Sequence, residues 1–138
     1  MAHNVKFFFA ASLDDPMREI EAMESALGQE GLAVEVRDRR SSADWPDVVG
    51  MNWVAGSMSA GGQDAGIAVE VHIRDVITGV AWGEVSGLER APREERATGL
   101  CVVTLTGEAQ MDLFERLRGY WRVQRGAVEF DEVDGFDG

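Results

Sequence analysis

The opening forty residues constrain the fold more than any other stretch. Residues 5–10, VKFFFA, form an apolar run of the right length for a strand buried on both faces. Asp15 followed by Pro16 predicts a helix start: an N-cap carboxylate, then a proline whose missing N–H would have no partner at that position anyway. Met17, Ile20, Met23 and Leu27 recur at spacings of three, three and four, one apolar stripe, and Gly28 and Gly31 supply stop signals. Residues 32–37, LAVEVR, alternate with period two, which predicts a half-buried strand. The chain therefore opens as a β-α-β unit.

The middle is less explicit. Residues 48–54 suit a strand, but the flanking DRRSSADWPD and GSMSAGGQDAG are rich in turn formers, and 56–66 read as a flexible loop. Residues 67–77 alternate, Val69, Val71 and Ile73 against Glu70, His72 and Arg74; Thr78-Gly79 predicts a turn into a partner strand at 80–85. Beyond a charged connection at 88–98, residues 100–105 read as a strand. A helix over 108–118 carries Met111, Phe114 and Leu117, and 124–130 suit a last strand. A β-α-β unit at each end of a strand-rich middle predicts an α+β, ferredoxin-like sandwich: one mixed or antiparallel sheet, two helices on one face, an extended central hairpin. A flavodoxin-like doubly wound sheet is the alternative, weakened by having only two convincing helices. Residues 1–126 are expected to form a single domain and 127–138 the last-strand end plus an acidic tail.

Charge bounds the function. The net charge of −12 argues against direct nucleic-acid binding and against an anionic membrane surface, since both need clustered Lys and Arg. Twelve arginines accompany a single lysine, Lys6, so part of the acidity is compatible with host composition alone. No apolar run approaches the length of a membrane span, and the N-terminus has the pattern of no secretory signal, so a cytoplasmic location is expected. The lone Cys101 sits in the run LCVVTL, where a buried, inert thiol is expected; it precludes an internal disulfide and a multi-cysteine zinc site.

Two acidic concentrations stand out. Asp14, Asp15, Glu19, Glu21, Glu24 and Glu30 lie on or near the first helix, offset by Arg18 alone. The terminal FDEVDGFDG holds Asp131, Glu132 and Asp134 within a stretch, 127–138, that contains five acids and no base. No EF-hand is expected in the terminal stretch, since the twelfth position counted from Asp131 falls beyond Gly138. A solvated tail or a charge strip for a basic partner is the expectation. Arg37, Arg39 and Arg40, beside Ser41 and Ser42, are the candidate anion site, although no Gly-rich phosphate cradle leads into them. His72 with Glu70, or with Glu84 across the hairpin, is the candidate acid–base pair; with His3 the only other histidine, a His-rich metal site is precluded. Of the four tryptophans, Trp53 and Trp121 are expected in the core, and Trp82 in the hairpin is the candidate exposed anchor, with Trp45 in a polar loop.

These features predict a non-enzymatic acidic module that occupies a basic protein surface, of the inhibitor, immunity or phage-antagonist type, on a nuclease or other nucleic-acid-binding partner. Asp14, Asp15, Glu19, Glu24, Trp82, Asp131, Glu132 and Asp134 form its contact set. The alternatives are a ferredoxin-like regulatory domain, open to self-association, that binds a small anion through Arg37, Arg39 and Arg40, and a small enzyme using His72. No cofactor or metal is expected.

Overall fold

The structure is a computed structural model, and it describes residues 3–10, 15–44, 52–73, 99–131 and 135–137. The strands are β1 (His3–Phe9), β2 (Val34–Ser41), β3 (Trp53–Ala60), β4 (Gln63–Ile73), β5 (Gly99–Leu105), β6 (Val128–Asp131) and β7 (Gly135–Asp137). The helices are α1 (Pro16–Gln29) and α2 (Met111–Gly119), the latter running into a π-helical turn, Tyr120–Gln124. The strands form one sheet in the order β2-β3-β4-β5-β1-β6-β7, every neighbouring pair antiparallel. The α+β class is as expected from the sequence; the sheet is larger than a ferredoxin-like one. The partner strand expected at 80–85, Trp45, Trp82, Glu84, Asp14, Glu132 and Asp134 lie outside the described residues.

Both helices cover one face of the sheet. Asp15 caps α1 as predicted, its side chain accepting from the Met17 N–H at 2.9 Å. Ile20, Met23 and Leu27 are fully buried against Phe7, Phe9, Val54, Met58, Val69 and Val71. Leu113, Phe114 and Leu117 of α2 and Trp121 of the π turn complete the same core. Met111, placed on the apolar stripe by its spacing, is instead 53% exposed: the helix starts at that residue, and the buried positions are 113, 114 and 117.

Three departures from the sequence reading matter for the site. The glycine-rich stretch is a β-hairpin, because Val54, Gly56 and Met58 alternate into the core and Gly61-Gly62, at φ 60° and 83°, make the two-residue turn that a tight hairpin requires. Strand β2 does not end at Arg37 but runs on through Arg39 and Arg40 to Ser41. Residues 135–137, expected in a solvated tail, form β7 beside β6. No helix among the described residues is long and apolar enough to cross a membrane.

Candidate functional site

The sheet face opposite the two described helices can be laid out from the strand registers. One row across β3, β4, β5 and β1 reads Trp53, His72, Leu100, Phe8; the next, starting on β2, reads Arg40, Ala55, Glu70, Val102, Lys6; the third reads Arg37, Ser57, Ala68, Thr104, Asn4. Neighbours within a row stand roughly 4.8 Å apart, the spacing of paired strands. The face thus grades from apolar through charged to polar within three rows. Small side chains at Ala55, Ser57 and Ala68 leave a shallow open groove, walled by Asp38 and Arg40 on one side and by Glu70, Val102 and Thr104 on the other.

A β-bulge builds the arginine side of this groove. Pairing slips between Arg37 and Arg40, and Asp38 adopts φ 53°, an uncommon conformation for a residue with a side chain. The bulge separates three arginines that are nearly consecutive in sequence. Arg39 is turned towards the helices, where its guanidinium meets Glu24 at 2.5 Å and the Val36 carbonyl at 3.0 Å. Arg37 lies 3.5 Å from Glu35 on its own strand. Arg40 has no ion pair or hydrogen bond among the described residues. The triple-arginine anion site expected from the sequence is therefore not assembled: Arg39 and Arg40 both line the groove, but the Arg39 guanidinium is committed to Glu24, and Arg37 lies one row away, opposite Ser57.

His72 and Glu70 are paired as expected, Nε2 to Oε1 at 2.9 Å, with the Trp53 ring 6.4 Å from the imidazole centroid. The His72 hydrogen bond holds the Glu70 carboxyl below the ordinary glutamate range; partial burial opposes this, and the positive charge of His72 and of Arg40 adds to it. Among the described residues no hydroxyl or thiol bonds to His72, so the pair lacks an assembled nucleophile. Cys101 is fully buried, and burial first, then the Glu70 and Glu19 charges, push its thiol far above the usual range. Thr104 donates to Asn4 at 2.8 Å, fixing the polar row. Among the described residues no three His, Cys, Asp or Glu side chains converge to hold a metal.

The acids of the predicted contact set are placed differently. Glu19 is completely buried and ion-paired to Arg125, so it presents no charge to a partner. Glu24 accepts from both Arg39 and the Val36 N–H. Asp131 is buried in β6, both carboxylate oxygens 2.9 Å from His3 Nε2. Asp15 is exposed and occupied as the helix cap. The same pattern extends to Glu129, buried and gripped by Arg118 through two bonds of 2.9 and 3.1 Å. Trp121 is fully buried as expected, but Trp53 is half-buried on the groove face.

Sequence reasoning missed Ser57, Thr104 and the small floor residues as site components. The available signal was the outward register of β3 and β4, where small residues replace the long polar side chains usual on a solvated sheet face. Against known proteins, the chain matches no family model, no curated protein and no solved structure.

Proposed function

We propose that the protein is a non-enzymatic binding module that holds a small anion-bearing molecule on the sheet face opposite its two described helices. Arg40 carries the reading: a guanidinium with no ion pair or hydrogen bond among the described residues, at the wall of a groove whose floor is made of small side chains. Ser57 on the floor adds a hydroxyl donor; by register Arg37 stands opposite Ser57 on the same strand as Arg40, and the half-buried Trp53 lies one row beyond. The connectivity supports a ferredoxin-like reading of the fold. Strands β5 and β6 flank β1 and are joined through α2, β1 and β2 are joined through α1, and the central hairpin is extended to four strands. The test is a thermal-shift panel of inorganic phosphate, nucleotides and simple carboxylates, followed by titration of any hit against wild type and Arg40→Gln. The expected result is a hit whose affinity falls at least about tenfold in the variant, the worth of one charge-assisted hydrogen bond. A silent panel, or a hit indifferent to Arg40, overturns the proposal.

Net charge favours a second reading, an acidic module docked on a basic protein surface such as a nuclease. It is supported by the charge of −12 and by exposed acids, Glu21, Glu108 and Asp112, that have no cationic partner among the described residues. Association of this kind is steered by charge and weakens with salt. Affinity for a captured partner that stays constant between low and high salt would sink it.

A further inference from the structure

Resting on the groove reading above, we propose that its ligand is a zwitterion of amino-acid size, carrying an ammonium group as well as an anion. The argument is the sign pattern around one small space. A ligand bearing only negative charge would meet Arg40, but also Glu70 directly across the floor and Asp38 beside it, inside a molecule of net charge −12. A ligand bearing only positive charge would meet Arg40 unpaired. In the register, Arg40 and Glu70 stand on either side of Ala55, so their backbones are roughly 10 Å apart, two strand spacings, with no bulky side chain between them.

The acid side of the groove is organised to accept a cation. His72 Nε2 meets Glu70 Oε1 at 2.9 Å, and the Glu70 side chain remains 42% exposed. That exposure leaves the carboxylate accessible to an N–H donor from the groove. Across the floor, Arg40 and the Ser57 hydroxyl suit a carboxylate or other compact anion. An aliphatic or aromatic side chain attached between the two charges would lie towards Val102 and the Trp53 row. A zwitterion is the one charge class that satisfies both walls and leaves neither formal charge buried without a counter-charge.

The deciding experiment is isothermal titration of the wild-type protein with the α-amino acids, β-alanine and 4-aminobutanoate. The best binder is then compared with its deaminated acid and its decarboxylated amine. The expected result is a binder whose two truncated forms each bind at least about tenfold more weakly. Arg40→Gln and Glu70→Gln should each weaken the intact zwitterion by a similar factor, while circular dichroism shows both variants folded. A deaminated acid that binds as well as the parent, or weakening by Arg40→Gln without weakening by Glu70→Gln, overturns the zwitterion assignment and leaves the anion reading standing. Amino acids that fail to bind while the phosphate, nucleotide and carboxylate panel gives an Arg40-dependent hit do the same. Failure in both panels overturns the groove itself as a binding site.

Discussion

Glu19 and Arg125 offer the sharpest test of the energetics. Glu19 is completely buried on α1; the Arg125 side chain, just past the π turn, is 15% exposed. Arg125 Nη1 bonds to Glu19 Oε2 and lies 3.4 Å from the Tyr120 hydroxyl, and the guanidinium stacks over Phe9 and Trp121 at 5.0 and 5.7 Å from their centroids. The pair is nonetheless incompletely satisfied. Glu19 Oε1, Arg125 Nη2 and the neighbouring Trp121 Nε1 are buried without a hydrogen-bond partner among the described residues. Breaking one side should therefore be costly, while replacing both sides should not. Arg125→Ala strands a carboxylate inside the core, a change that costs roughly 3–5 kcal/mol, and it also removes the ring contacts. For a chain of 138 residues that loss lowers Tm on the order of 10–20 °C.

Glu19→Met combined with Arg125→Met removes both charges and all but the Trp121 orphan, in a site already walled by Phe9, Trp121 and Tyr120. That double variant should regain most of the loss and end within about 1 kcal/mol of wild type or above it, because buried pairs replaced by apolar side chains of similar volume are often neutral or stabilising. The assay is urea unfolding of wild type, both single variants and the double variant, read as midpoints at constant slope. An Arg125→Ala cost below about 1 kcal/mol, where surface pairs fall, would refute the buried-pair reasoning. So would a double variant whose loss equals the sum of the single ones.

Three further outcomes are expected. Glu70 should titrate below the ordinary glutamate range and move upwards in His72→Ala, as read by carboxyl chemical shifts; because its folded-state value is depressed, the stability it contributes is present above the unfolded value and lost as pH falls through the lowered one, and an unchanged Glu70 titration in the variant would contradict the pairing. Asp15→Ala should cost about 1 kcal/mol through loss of the α1 cap, whereas Asp15→Asn, which keeps an acceptor, should cost much less; equal losses would show that the bond to the Met17 N–H is not the cause. Gly56→Ala should cost about 1–3 kcal/mol, since its new methyl would stand 2.5 Å from Val36 Cγ1 and 2.8 Å from the Arg37 carbonyl oxygen; a wild-type midpoint would mean that β2 and β3 yield there freely.

Where the sequence was legible, local rules and tertiary packing agreed. Strand β1 and helix α1 announced themselves because the N-cap, the proline and the apolar stripe all point to the same elements. Alternation marked the later half of β4, but the rest of the hairpin was not legible, because its small residues resemble loop composition until a partner strand is there to bury Met58 and Ser59. Glu19 was half legible. It stands four residues before Met23 and eight before Leu27, on the buried side of the helix, so an acid at that position needs a buried partner. The partner lies 106 residues downstream and is aimed by a π turn, and neither fact has a local signature.

The arginine cluster shows the same limit in two dimensions. In sequence, Arg37, Arg39 and Arg40 read as one positive patch; in the sheet, a one-residue irregularity at Asp38 sends the Arg39 guanidinium to Glu24 on α1 and keeps Arg40 on the opposite face. Alternation alone would have placed Arg37 and Arg39 together, so the bulge decides which cation is left over. That leftover cation is informative because of the chain's imbalance. With 25 acids against 13 bases, a guanidinium has nearly two carboxylates to choose from. Arg39, Arg118 and Arg125 each find one. Arg40 faces Glu70 across the groove and does not close on it, while Glu70 bonds to His72 instead. A gap held open between opposite charges, in a chain where pairing is the easy outcome, is what makes the groove, rather than the acidic segments, the place to look for a ligand.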